Sequence, residues 1–472
     1  MQIHKHNIII IIIYLYSSIK IMESKNLDNA FHKINRFISF EPGDRKIYME
    51  DLECITKFII GKLKNHDKVF EKLYNGHYFQ GSYMDNLKIK KPDEYDIIIQ
   101  MKLPKFDLAI ITADPNKAGN VLIDITKILE TMPKNTATHN EIYKRLTKST
   151  DEFNFLDQKK ISSWFQSMFY NILGNNSTVH LNINGTDYKL DRKVCGPAQT
   201  IKIYNKYKNI SISIDYVPAF IFTESQWVAK RGVLNEYSFG WLAIPKPDYA
   251  RHNDKKPNLS FRSSFSTIER EMIWGENQLK NVCKLIKKLR DRWNIQNLKS
   301  YHIKTLFLWE NEIQNKTFWN KPTSYLFMHM FQRLVEGVKN GTITFFWDWD
   351  QNMLDNLTSY QLNTMFDQLK AVYDKIEKLR QEKLISTSIY EIFLTKSEID
   401  EMNRGNTLER VLKNENSTSQ NETNSPNINY GHVENNESSS TTGLGTIGAI
   451  SLGIGALTLG ALYLFGSNRN QN

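Results

Sequence analysis

The chain has 472 residues, 40% of them hydrophobic, which excludes a small peptide-like module and suits one large bilobal unit or two to three domains. A formal net charge of +10 favours an acidic partner: nucleic acid, nucleotide or an anionic membrane surface. The three cysteines, Cys54, Cys195 and Cys283, stand far apart without close Cys or His spacing, which argues against a disulfide framework and a structural zinc site and for a reducing compartment.

In chain order, the apolar run from Asn7 to Tyr16 is too short to span a bilayer, and no small-residue cleavage site follows it. Residues 1–21 therefore read as an upstream extension, with a signal-peptide core as the alternative, and Met22 opens an ordinary amphipathic helical start. Leu52, Ile55, Phe58, Ile59 and Leu63 recur at helical spacing, so one long helix is expected to lead into the Gly81-Ser82 turn. The segment YDIIIQMKL reads as a buried strand, and NISISIDYVPAF as a second, with Ile212, Ile214 and Tyr216 alternating against Ser213 and Asp215. From about Asn258 the character turns helical: Val282, Leu285, Ile286, Leu289 and Trp293 form one apolar stripe, with Lys284, Lys287, Lys288 and Arg290 on other faces. The stretch Arg404 to Thr442 is rich in Asn, Ser, Thr and Glu and reads as a disordered linker. Gly443 to Gly466 carries no charge and matches one membrane crossing of about 20 residues, a tail-anchor candidate whose alternative is a glycine-rich tail that inserts nowhere. Gly445, Ala449 and Gly453 recur about one helical turn apart, as in membrane helices that pack closely.

The chemistry begins with the acids. Side chains two apart on a strand share a face, so Glu94 and Asp96 project together while Tyr95, Ile97 and Ile99 fill the other side. Buried acids are expensive unless paired or bound to metal. With Asp215 from a second strand, three carboxylates suit a pair of Mg²⁺ or Mn²⁺ ions about 3.5–4 Å apart that clamp the attacking and leaving oxygens of a phosphoryl transfer. Gly81 lets backbone approach a phosphate, and Ser82 adds a hydroxyl and an N–H at the start of an expected helical turn. The bland alternative for an acid-x-acid pair is a solvated strand edge.

The stretches GSYMDNLKIKKPDEYDIII, GPAQTIKI with ISISID, SFRSSFSTIEREMI, CKLIKKLRDRW and SYHIKT stand in the order and approximate spacing of cyclic GMP-AMP synthase and the animal cyclic GMP-AMP synthase-like receptors. The resemblance covers roughly Asn26 to Arg380. It implies an α+β, bilobal nucleotidyltransferase fold: a mixed-sheet catalytic lobe with a long spine helix over residues 22–257, a helical lobe over 258–403, a linker over 404–442 and the anchor candidate over 443–466. It implies an enzyme that joins ATP and GTP into a cyclic dinucleotide when double-stranded nucleic acid is sensed, in innate immunity and antiviral defence. Glu94, Asp96 and Asp215 then match the metal-binding acids, with Asp215 also placed to help deprotonate the attacking ribose hydroxyl, and Ser82 matches the phosphate-binding serine. By the same resemblance Arg262, Ser264, Ser266 and Glu269 line the acceptor nucleotide pocket and Lys284 meets phosphate, while Ser300 and Tyr301 hold the donor nucleotide with help from Lys304.

One departure bears on the ligand. Where the vertebrate synthase carries a zinc-bound insertion this chain has only WGENQLKNV, so no zinc is expected and double-stranded RNA, read by shape and phosphate, is the expected activator. Lys57, Lys62, Lys64 and Lys68 are candidate contacts. The expected place is cytoplasmic, tethered to an intracellular membrane if the tail inserts, with a homo-oligomer as a further expectation. Two alternatives stay open: a template-free transferase extending RNA ends or making linear oligonucleotides, and an inactive membrane-anchored nucleic-acid-binding relative.

Overall fold

The computed structural model describes residues 26–404, apart from 41, 90–93, 116, 118, 134, 175–177, 196–197, 229–239, 246–257 and 382–384. The apolar start, the linker beyond its first residue and the tail-anchor candidate lie outside the described residues; Arg404, expected to begin the linker, still belongs to a helix over 396–404. Among the described residues no helix is long and apolar enough to cross a membrane.

The described residues begin in helix α1 (26–38), followed by helix α2 (Pro42–His66). The single helix expected to run on to Gly81 stops here. Asp67 leaves helical dihedrals, and its carboxylate accepts the Phe70 amide at 2.9 Å, capping a separate short helix α3 (Lys68–Leu73). Strand β1 (Tyr74–Gln80), not a helix, then delivers the chain to Gly81. Gly76, at φ +130°, sits at a register shift that seats β1 against β2 (Glu94–Met101).

Beyond β2 the sheet gathers β3 (Ile110–Ala113), β4 (Asn120–Asp124), β5 (Thr178–Ile183), β6 (Thr186–Cys195), β7 (Ala198–Asn205), β8 (Ile210–Thr223), β9 (Gly240–Ile244) and β10 (Phe261–Ser264). The order is β3-β4-β10-β9-β8-β7-β6-β5, with β2 lying parallel to β8 and antiparallel to β1. The sheet thus continues past Asn258: Phe261 and Ser263 are buried, and the short run pairs with both β9 and β4 before the helices begin.

Alternation decides which face each side chain takes. Tyr95, Ile97, Ile99, Ile212, Ile214 and Tyr216 enter the main core; after the shorter helices α4 (Thr126–Thr131) and α5 (Ala137–Lys148), α6 (Gln158–Leu173) joins α2 in covering the sheet. Tyr216 meets Phe169 of α6 at 5.5 Å between ring centroids, and its hydroxyl lies 3.2 Å from Thr56 of α2. Ile98, Val217 and Ala219 belong to a small cluster on the opposite face. Each fully buried isoleucine contributes roughly 1.5–3 kcal/mol. Four of them, Ile97, Ile99, Ile212 and Ile214, hold the acid-bearing ends of β2 and β8 together against the repulsion of their carboxylates.

The second half is helical: α7 (Ser266–Met272), α8 (Asn277–Arg292), α9 (Ser300–Ile313), α10 (Thr323–Lys339), α11 (Ser359–Gln381) and α12 (Ile385–Phe393). The first helix closes against the last ones. Phe31 packs on Phe327 at 4.7 Å and Phe393 at 5.5 Å, and the Asp28 carboxylate accepts the Ser324 amide at 2.6 Å. One buried apolar cluster therefore runs from Leu27 to Met402, through sheet and helices alike.

Candidate active site

Sheet register sets the site. Asp96 pairs with Asp215 across β2 and β8, Gln80 of β1 pairs with Asp96 on one side, and Thr200 of β7 pairs with Asp215 on the other. Gln80, Asp96, Asp215 and Thr200 thus form one row across four strands, and Glu94, opposite Ser213, stands two residues before Asp96 on the same face. A cavity of about 320 Å³ opens over this row, lined by Gln80, Ser82, Tyr83, Lys88, Glu94, Tyr95, Asp96, Thr200, Ser213 and Asp215.

Each acid is held differently. Thr200 Oγ1 donates to Asp215 Oδ1 at 2.6 Å, and Lys88 Nζ donates to Glu94 Oε2 at 3.0 Å. Asp96 is pushed up to about 6, first by burial and then by the Asp215 charge, with Lys88 opposing and Glu94 adding to the rise. The Asp215 contribution follows from the pairing: two like charges one strand spacing apart, at ~5 Å and an effective dielectric near 20, repel by roughly 3 kcal/mol. Gly81, at φ +82°, sits where a Cβ would run into the Asp96 carboxylate, so glycine is required both by its backbone and by its neighbour. The segment after it is a turn rather than the expected helical start, with the Ser82 carbonyl accepting the amides of Leu87 and Lys88, each at 2.7 Å.

The donor set fits a hard divalent cation. Crowded carboxylates, one of them retaining its proton unusually far up the pH scale, gain most from a nearby positive charge, and oxygen-only ligands suit Mg²⁺ or Mn²⁺. Among the described residues no three His, Cys, Asp or Glu side chains converge into a ready-made cage. Lys88 binds one oxygen of Glu94, whose side chain is 75% exposed, and Thr200 binds one oxygen of Asp215.

Ser82, Glu94, Asp96 and Asp215 therefore meet in one cavity wall, with Gly81 against Asp96. The other anticipated residues lie outside that wall. Ser266 is nearest, donating to Gln80 Oε1 at 2.8 Å. Arg262 and Ser264 lie on β10, and the Arg262 guanidinium sits 5.7 Å from the centre of the Tyr301 ring. Glu269, buried, accepts from Tyr301 Oη at 2.5 Å and Trp347 Nε1 at 3.0 Å and pairs with Lys304 Nζ at 2.9 Å. Lys304 also donates to buried Asp85 at 2.7 Å. Burial works against the Lys304 ammonium, yet Glu269 and Asp85 together raise its proton affinity above that of an ordinary lysine; Glu269 is lowered because its three partners outweigh burial. Lys284 donates to Ser39 Oγ at 2.8 Å, and Ser300 accepts from Arg290 Nη1 at 2.7 Å. Sequence reasoning missed Gln80, Lys88, Thr200 and Ser213. Strand alternation in AQTIKI, read beside ISISID, was the available signal for Thr200.

A mixed sheet with paired acids at its strand row, backed by a helical half, is the frame of a nucleotidyltransferase, and the chain's similarities to known proteins agree. Residues 83–275 match the Mab-21 protein nucleotidyltransferase domain, and residues 278–371 match the Mab-21 protein HhH/H2TH-like domain. The chain is 32% identical over 358 residues to a cyclic GMP-AMP synthase-like receptor of Lucilia cuprina, covering 76% of this chain and 94% of that protein. It is 34% identical to cyclic GMP-AMP synthase-like receptor 1 of Drosophila melanogaster, over 73% of this chain and 90% of that one. A receptor of the same description from Tribolium castaneum is 27% identical over 74% of this chain and 89% of that protein. The chain belongs to the cyclic GMP-AMP synthase-like receptor family.

Proposed function

We propose that this protein is an innate immune sensor that makes a cyclic dinucleotide of the cyclic GMP-AMP type from ATP and GTP, switched on by double-stranded RNA. The observation that carries the reading is the direct pairing of Asp96 with Asp215, with Glu94 and Ser82 in the same cavity wall. The sheet, which runs on to β10, supplies the acids together with Arg262 and Ser264, and the helices from α7 onward supply the remaining nucleotide-facing residues.

Glu94, Asp96 and Asp215 would hold Mg²⁺ or Mn²⁺, which when bound offsets phosphate charge and lowers the pKa of the attacking hydroxyl. Gly81, without a side chain, keeps the backbone open beside Asp96, and Ser82 presents its hydroxyl to a phosphate. Asp215, anchored by Thr200, takes the proton of the ribose hydroxyl. Ser266 orients the Gln80 amide by bonding its oxygen, which leaves the NH₂ as the donor. Exposed Lys57 and Lys62 on α2 suit an RNA backbone, Lys62 with its ammonium 5.5 Å from the centre of the Phe58 ring; Lys64 lies over the Tyr74 ring at 3.8 Å and Lys68 pairs with Glu71 at 3.1 Å.

The test is to incubate the full chain with ATP, GTP, Mn²⁺ or Mg²⁺ and duplex RNA, and to identify the product by mass spectrometry. A single cyclic product, lost in Asp96→Asn, is expected. A linear ladder would instead establish an oligonucleotide or RNA-end transferase, and no product across RNA and DNA duplexes of several lengths would overturn the enzymatic reading.

A further inference from the structure

The loop after Gly81 is braced from several sides. Its own Ser82 carbonyl ties down the Leu87 and Lys88 amides. Buried Lys287 of α8 donates to the Leu87 carbonyl at 2.6 Å, while Lys304 and Arg270 hold Asp85 at 2.7 and 3.5 Å. Among the described residues, this frame presents the Lys88 ammonium to the acids. Lys88 Nζ lies 3.0 Å from Glu94 Oε2, lines the cavity with Asp96 and Asp215, and its charge is felt by Asp96 as well. With Glu94 75% exposed, such a pair adds at most about 1 kcal/mol to the fold, so stability does not explain so firm a mounting.

We propose that Lys88 is the resident cation of the cavity: it neutralises the carboxylates until a divalent ion displaces it from Glu94, and it then turns to the phosphates of the incoming nucleoside triphosphate. The inference rests on the metal-dependent reading above. Lysine suits the exchange because its ammonium is a point charge on a flexible stem, able to leave one anion for another without the fixed two-pronged geometry of arginine. The amide tie to Ser82 keeps it on the loop that presents the phosphate-binding hydroxyl.

Two affinities of opposite sign test it on the full chain. Lys88→Gln should bind Mn²⁺ without nucleotide roughly two- to fivefold more tightly by calorimetric titration, because a competing cation is gone. With Mg²⁺ saturating, the same variant should bind a non-hydrolysable ATP analogue more weakly by a similar factor, roughly two- to fivefold. Lys88→Arg should stay close to wild type in the first measurement, and unchanged melting curves show that both variants are folded. Mn²⁺ affinity that is unchanged or weaker in Lys88→Gln, or analogue affinity that does not fall, overturns the proposal. Asp96→Asn separates it from the reading beneath: if that variant keeps wild-type Mn²⁺ affinity the metal site itself is wrong, whereas if it loses Mn²⁺ while Lys88→Gln is unaltered, only the role of Lys88 falls.

Discussion

Asp96 is a carboxylate whose surroundings oppose its charge. Burial, then Asp215, raise it to about 6, against about 3.9 for the same group in an unfolded chain. A group held above its unfolded value stabilises the fold below that unfolded value, and the help is lost as pH rises through about 6. Asp96→Asn removes the penalised charge, so in metal-free buffer it should stabilise the protein at pH 7.5 by about 1–2 kcal/mol and change little at pH 4. Melting temperatures at the two pH values check this, and a lower melting point at pH 7.5 would contradict it. The same substitution should abolish product, so stability and catalysis would move in opposite directions.

At the scale of elements, the joint between loop and helices is ionic and buried. Lys304 of α9 stands between Asp85, on the loop after β1, and Glu269 of α7, each of the two acids under 5% exposed. Lys304→Met leaves two enclosed carboxylates with too little positive charge, and should lower unfolding free energy by about 3–5 kcal/mol. Denaturant unfolding measures it; a loss under about 1 kcal/mol would mean that Arg270 alone satisfies Asp85. Adding Asp85→Asn and Glu269→Gln should recover much of the loss. Little of this joint was legible in the sequence, because Asp85, Glu269 and Lys304 are far apart along the chain and each looks like a solvated charge. Strands β2 and β8 were legible, since isoleucines alternate with acids and hydroxyls there. Strand β1 was not: YNGHYFQ shows no clean alternation and follows an amphipathic helix without a break, although Asp67, a good cap residue three before the Phe70 amide it binds, marked the real stop. The three acids of the cavity wall could be read from strand alternation, whereas Thr200 and Lys88 needed the register and the loop's path.

For the whole molecule, the excess of positive charge matters through salt. Exposed Lys57 and Lys62 lie on α2, so Lys57→Glu with Lys62→Glu should weaken duplex RNA binding for all sequences alike. The slope of log affinity against log salt should fall by about one for every phosphate that the protein no longer neutralises. Binding measured between about 50 and 200 mM salt checks both effects, and an unchanged slope would move the RNA surface elsewhere.

The seating of Phe31 between Phe327 and Phe393 has a consequence for biosynthesis. The opening helix leaves the ribosome with its apolar side bare, and its partners follow only after most of the chain has been translated. At ordinary elongation rates the delay is on the order of tens of seconds, long enough for chaperone capture or self-association of nascent chains. A truncated messenger ending before α10 should therefore yield an aggregating fragment, whereas one extending past α12 should yield a product that stays dispersed.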